Sequence, residues 1–310
     1  MNNLTIFNCG AAMLASVALV GCNQVAHPTE TLAHQESAYS QTLTAIDLLK
    51  QVNMQGSQAQ WLSDSDWLLA SESQGLLMFN ADTNRMTTLL SGNFESVSVR
   101  MLNANQYLVS SIDNNADNVV IWQLQRSDKR WQLTEQQRLV PKMAQPEAAC
   151  LFFNKQTKSV SSFVADVRGH VTQTLIFDAN TQQALNIPVR TFAGVSEAAG
   201  CAVSDAEQVL FVSESEVGIW RINANEESQE TKKPVALAAP FGQLVPEIGA
   251  LSTDNRGSLY FTSSEAQRLY RYAISDEVLH HWQLADGELA LESLAVANTR
   301  AQEMNALAFD

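Results

Sequence analysis

Positive charge is scarce in this 310-residue chain: 19 Lys and Arg stand against 33 Asp and Glu, a formal net charge of −14. Nucleic acid binding needs a basic footprint to meet the phosphates, so that class is excluded. An acidic surface suits solubility or cation binding. No phosphate-cradling glycine-rich loop, no H-E-x-x-H and no G-x-S-x-G occurs, which removes the common nucleotide, zinc-protease and serine-hydrolase signatures. Only five histidines are present. His280 and His281 are neighbours in a strand-like stretch, where alternation sends their rings to opposite faces and argues against a shared metal. His170 follows Gly169 in a turn and reads as exposed. Long segments of 3.6-residue periodicity are missing as well, so an extended helical core is not expected.

What is present is a repeat. An apolar strand running into a turn occurs at Leu68-Leu69-Ala70-Ser71, Leu108-Val109-Ser110-Ser111, Phe163-Val164-Ala165-Asp166, Phe211-Val212-Ser213-Glu214 and Phe261-Thr262-Ser263-Ser264, roughly every 40 to 55 residues. Each copy is followed by a second strand ending in an aromatic, such as Val119-Val120-Ile121-Trp122 or Gly218-Ile219-Trp220. Five such hairpins in one register predict an all-β chain folded as a β-propeller, whose four-stranded blades must stack to bury their faces. A β-sandwich is the competing all-β reading. Trp122 and Trp220, expected on outer strands, are read as packing between blades.

The N-terminus carries a short apolar run, Ala11 to Gly21, ending in Leu19-Val20-Gly21-Cys22. It is too short to span a bilayer and looks like a bacterial lipobox, with Cys22 as the lipidated residue. The preceding segment, residues 1–8, lacks the Lys or Arg usual in secretory signals. The expected division is a signal peptide over 1–21, a lipid-anchored flexible tether over 22–42, a propeller over 43–288 and a C-terminal tail of helical character over 289–310. Asn23 after the cysteine points to the outer membrane, with the domain facing the periplasm or the surface. Of four cysteines, Cys9 lies in the signal and Cys22 bears the lipid, leaving Cys150 and Cys201 at matching points of consecutive repeats. These form either a disulfide between adjacent blades or two buried thiols.

Ala199-Gly200-Cys201-Ala202-Val203-Ser204-Asp205 followed by Leu210 to Arg221 resembles the E-G-C-V-A-D-D…L-Y-I-A-E-E-D-x-x-I-W segment of the β-propeller phytases. Pro146 to Phe152 is similar to E-P-Y-G-x-C-L-Y, Phe163 to Gly169 to F-V-x-x-K-x-G, and Glu247-Ile248-Gly249-Ala250-Leu251 to D-I-E-G-L. The collinear match runs from about Gln58 to Gln283. It implies a six-bladed propeller that hydrolyses phosphomonoesters of inositol hexakisphosphate. Calcium ions held by carboxylates at one channel mouth would activate water there, with Lys and Arg binding phosphate.

The carried-over site is thin. The ligand Glu of E-G-C is Ala199, that of D-I-E-G-L is Gly249, and the Lys of F-V-x-x-K is Val167. Glu214, Glu247 and Asp166 are the candidate metal ligands that persist, either as a residual calcium site or as solvated turn acids. Arg100 and Arg168 are the candidate phosphate-binding residues. The family's closing segment is absent after Trp282-Gln283-Leu284, and Leu289 to Leu307 is rich in Ala, Glu and Leu, so the propeller is expected to be incomplete, with about five recognisable blades. That resembles the incomplete N-terminal domain of double-domain phytases, a split-gene product, or a ring whose gap is closed by a docked helix. Two functions follow: a degenerate accessory lipoprotein that binds a partner phytase domain or a phosphorylated small molecule, or a calcium-dependent 3-phytase with a remodelled site.

Overall fold

The structure, a computed structural model, describes residues 41–43, 49–52, 58–63, 65–128, 130–141, 144–229, 231–254, 256–284, 293–296 and 306–309. The expected signal, Cys22 and the tether through residue 40 lie outside these residues, as does most of the expected tail. Two short strands come first, β1 (Gln41–Leu43) and β2 (Leu49–Val52). Five four-stranded antiparallel blades follow. Blade one is β3 (Gln58–Ser63), β4 (Asp66–Ser71), β5 (Gly75–Asn80) and β6 (Arg85–Leu90). Blade two is β7 (Phe94–Asn103), β8 (Gln106–Asp113), β9 (Asn118–Ser127) and β10 (Arg130–Leu139). Blade three is β11 (Pro146–Asn154), β12 (Ser159–Asp166), β13 (His170–Asp178) and β14 (Gln183–Ala193). Blade four is β15 (Ala198–Ser204), β16 (Val209–Glu214), β17 (Gly218–Asn223) and β18 (Lys233–Leu237). Blade five is β19 (Ile248–Thr253), β20 (Ser258–Ser263), β21 (Arg268–Ala273) and β22 (Val278–Leu284), with β1 added in parallel to β22.

The five hairpins read from the sequence are the second and third strands of these blades. Trp122 and Trp220 therefore lie within third strands, β9 and β17, not on outermost ones. A sixth sheet has three strands in the order β2, β24 (Ala306–Phe309), β23 (Ser293–Val296). Its β23 lies beside both β19 and β3, the inner strands of blades five and one. The ring is thus occupied by five full blades and one incomplete one. This corrects two expectations. The region 289–310, read as helical, supplies two strands among its described residues, and the tether, drawn to Thr42, already forms β1 at Gln41. Ala and Leu favour helix intrinsically, but the pairing of β23 with β24 and of β24 with β2 outweighs that propensity. No helix occurs among the described residues.

The core lies between blades. Leu68, Leu76, Val109 and Trp122 pack blade one on two, while Leu108, Ile121, Leu151 and Ile176 pack two on three. Cys150, Phe163, Val203 and Leu210, with Trp220 against them, join three to four. Phe211, Ile219, Leu251, Phe261 and Tyr272 join four to five. Each inner hairpin is therefore apolar on both faces, which is why β4 is buried at every position. Burying each Leu or Phe in these interfaces stabilises the ring by roughly 1.5 to 3 kcal/mol. Gly218 opens β17 at φ 143°, where a Cβ would overlap the Ala236 carbonyl and stand 2.9 Å from Leu237 Cα.

The axis is crossed by side chains. Gln58, only 5% exposed, accepts hydrogen bonds from Val97 N at 2.8 Å and Ser96 Oγ at 3.2 Å and donates to Leu251 O at 3.5 Å, tying blade one to two and five. Cys150 and Cys201, on neighbouring inner strands with Cα atoms 6.0 Å apart, are joined by a disulfide.

Candidate functional site

One end of the channel is formed where the inner strands begin and the second strands end. An acid stands at or just before the start of four consecutive inner strands: Glu95 on β7, Glu147 on β11, Glu197 before β15 and Glu247 before β19. Glu197 and Glu247 both adopt left-handed backbone, φ 54° and 59°. The sequence reading singles out only Glu247 of this ring. Its signal was the recurrence of Glu about every 50 residues ahead of an apolar strand.

Glu95 feels the charge of Glu147, and Glu147 that of Glu197. Burial pushes the Glu95 carboxyl above its ordinary range, the Asn114 amide opposes that shift, and the charges of Glu72 and Glu147 add to it. Glu147 is likewise raised by burial, with Glu197 and Asp166 contributing, while the Ala198 amide at 2.8 Å favours its ionised form.

The sequence-derived residues are placed as follows. Asp166 ends β12, is 4% exposed, and turns its Oδ1 back onto the amides of Arg168 at 2.9 Å and His170 at 3.0 Å. Its carboxylate organises its own turn. His170, read as exposed, is half-buried with its Nδ1 3.3 Å from the same oxygen. Glu214 ends β16 and accepts Ser196 Oγ and Trp220 Nε1, each at 2.7 Å. The ammonium of Lys232 lies 4.0 Å from the centre of the same Trp220 ring. Glu247 accepts Ser264 Oγ at 2.7 Å. Asp166, Glu214 and Glu247 thus share a mouth but sit on three different blades, each already hydrogen-bonded. Arg168 is exposed in the turn after Asp166.

Arg100 is elsewhere. It lies six residues into β7, toward the opposite mouth, where its Nε pairs with Asp205 at 2.8 Å and its terminal nitrogens donate to Val99 O and Val203 O. The expectation that Arg100 joins Arg168 in a phosphate clamp is corrected, because one inner strand traverses the channel and its ends face opposite sides. Arg100, Lys155, Asp205 and Asp254 line a cavity of about 500 Å³ at that far mouth.

Calcium takes six to eight oxygen ligands from a converging set. Among the described residues, no three carboxylate, imidazole or thiol groups converge closely enough to hold a metal ion. Ala199 and Gly249 sit at the bulges that open β15 and β19, where a Glu would reach the axis. Nearby, the Ser213 hydroxyl lies within hydrogen-bond distance of two carbonyls, Gly200 O at 3.2 Å and Gly249 O at 3.1 Å, and its one proton is shared between them. The donor chemistry of the mouth fits a hard cation; its spread across blades does not fit a multi-calcium centre.

A family model described as Phytase matches residues 57–289. No curated protein matches the sequence. Among solved structures, a Bacteroides thetaiotaomicron protein of unknown function superposes with a TM-score of 0.57 at 9% identity, over 74% of this chain and 58% of that one. The chain therefore spans little more than half the length of that relative. A chain of a nidogen/laminin complex superposes with a TM-score of 0.50 at 10% identity, over 74% of this chain and 80% of that one. At such identities the likeness concerns the fold alone.

Proposed function

Because the chain belongs to the phytase family of β-propellers, we propose that it is a lipid-anchored member in which calcium-dependent hydrolysis has been lost or nearly so, an accessory propeller that binds a partner phytase domain or a phosphorylated small molecule. The observation that carries this reading is the pair of bulge positions, Ala199 and Gly249, which lack the carboxylates of the family motif. A phosphoryl transition state is stabilised mainly by placed positive charge, which here would have to be assembled without those ligands. The inositol hexakisphosphate assay decides it: the chain beginning at Cys22, incubated with millimolar Ca²⁺, is expected to release no phosphate above the blank. Sustained turnover would overturn the reading and favour a remodelled 3-phytase.

Glu95, Glu147, Glu197 and Glu247 at the mouth are the acids on which that second reading would have to draw. If the ring holds calcium, saturating Ca²⁺ raises the thermal midpoint, since a ligand that binds only the folded state must stabilise it.

The envelope location rests on Leu19-Val20-Gly21-Cys22, and the Cys150–Cys201 disulfide supports an oxidising compartment. Replacement Cys22→Ser is expected to move the protein from the outer-membrane to the soluble fraction; unchanged fractionation would argue against the anchor.

A further inference from the structure

The loops that frame the carboxylate mouth differ from the rest of the surface. They are the turns between second and third strands and the crossovers from one blade's outer strand to the next blade's inner strand. Among the described residues they bear six exposed acids, Glu72, Asp117, Glu197, Glu216, Glu247 and Glu265, against one cation, Arg168. Six large apolar side chains are exposed among the described residues, and four of them, Val140, Val167, Val217 and Phe241, stand in these same loops. Apolar residues scattered singly over a surface need no explanation; their concentration on one face does.

Hydrogen bonds join these loops into one rim. Val167 N donates to Gln145 O at 3.0 Å, which ties its turn to the crossover bearing Val140. Gly194 N donates to Gly169 O at 2.7 Å and Ser196 Oγ to Glu214 at 2.7 Å, which continues the rim past Glu197 into blade four. Ala238 N donates to Val217 O at 2.8 Å and sets the Val217 turn beside the crossover of Phe241. That crossover is closed on itself. Phe241 N and Gly242 N both donate to Ala238 O, at 3.1 and 3.0 Å, and Leu244 N donates to Leu237 O at 3.0 Å, with the Leu244 side chain buried. Phe241 is thus 84% exposed on a braced backbone, so little main-chain freedom is lost when a partner covers it.

Carboxylates and apolar side chains interleaved on one rim complement a surface that is basic and partly apolar. A second copy of this chain would bring like charges together, and an anionic lipid surface or a phosphorylated small molecule would meet the same repulsion. Residues 1–40 contain no Lys or Arg, so that segment has no cation to offer the rim. We infer that the rim is the docking face for a basic protein, with Phe241 and Val217 as apolar anchors and Glu197 and Glu216 facing its lysines or arginines. The inference rests on the accessory reading and narrows the partner to a protein with a cationic contact surface.

The experiment replaces Phe241 of the full chain by the photo-crosslinker p-benzoylphenylalanine in its native cells, with Ile187, exposed on the outer strand of blade three, replaced as the control. Irradiation is expected to give a protein adduct at 241 that is absent at 187. The captured protein, identified by mass spectrometry and purified, is then titrated calorimetrically against the parent chain. A Kd below about 10 μM is expected at low salt, weakening about fivefold or more as salt is raised. F241S/V217S and E197Q/E216Q should each lose about tenfold or more. E207Q/E227Q, which removes equal charge at the opposite end, should bind as the parent does. All six side chains are exposed, so every variant should keep the parental melting midpoint. No adduct at 241, the same adduct at 187, a cross-linked dimer of this chain, affinity unchanged in F241S/V217S or E197Q/E216Q, or an equal loss in E207Q/E227Q would each overturn the proposal. Phosphate release from inositol hexakisphosphate would strike the accessory reading and the proposal with it, whereas a blank assay with an adduct at 187 alone would sink only this face.

Discussion

Arg100 shows how far a residue's type alone can mislead. As a cation in a phytase-like segment it reads as a phosphate ligand, yet its guanidinium spans from blade two to Asp205 of blade four, with side chains only 15% and 22% exposed. Phe153 N also donates to Asp205 at 3.1 Å, so three blades meet on one carboxylate. Replacing Arg100 with Met leaves Asp205 and Val203 O short of donors and is expected to destabilise the fold by about 1 to 3 kcal/mol. Urea unfolding checks it; a variant as stable as the parent would show the pair to be incidental. The mouth acids make an opposite prediction. Glu95 and Glu147 have folded values raised above 4.5, chiefly by burial, so the native state holds their protons more tightly than the unfolded chain. Stability from these groups is full below the unfolded value and falls as pH rises through the raised one. Glu95→Gln with Glu147→Gln should therefore melt higher than the parent at pH 7.5, by at most about 1 kcal/mol. The gain should vanish near pH 4; melts over that range would refute the idea if the gain were independent of pH.

At the level of elements, the hairpins were legible and their neighbours less so. Strands β4, β8, β12, β16 and β20 are buried on both faces, so they appear as continuous apolar runs. Outer strands such as β6 and β10 bury little, with exposed residues through most of their length, and carry no comparable pattern. The two cysteines were seen at matching repeat positions; whether they bond depended on the Cα separation of 6.0 Å between β11 and β15. The bridge encloses a separation of 51 residues, and constraint of the unfolded chain stabilises by about 2 to 4 kcal/mol for loops of that order. Cys150→Ala with Cys201→Ala, or reduction of the parent, should lower the calorimetric midpoint accordingly. An unchanged midpoint after verified reduction would count against that contribution.

Over the whole molecule, the decisive step is closure. β2 pairs in parallel with β24, and β24 with β23, so residues near both ends of the chain build one sheet between blades five and one. Removing residues 285–310 deletes β23 and β24 and leaves β3 and β19 without that neighbour. The shortened chain is expected to associate or to melt lower than the parent, which size-exclusion chromatography and a thermal melt would show; a monomer with the parental midpoint would mean that the sixth sheet is dispensable. By itself the sequence determined the blade, because a hairpin buried on both faces must write a recurring apolar pattern, and it determined the family, because collinear motifs survive along the chain. The tertiary structure alone decided the ring's closure, the placing of Glu95, Glu147, Glu197 and Glu247 at one mouth and the separation of Arg100 from that mouth. Each depends on which blades become neighbours and which end of a strand faces which side, and these are relations between residues tens to hundreds of positions apart that no local pattern encodes.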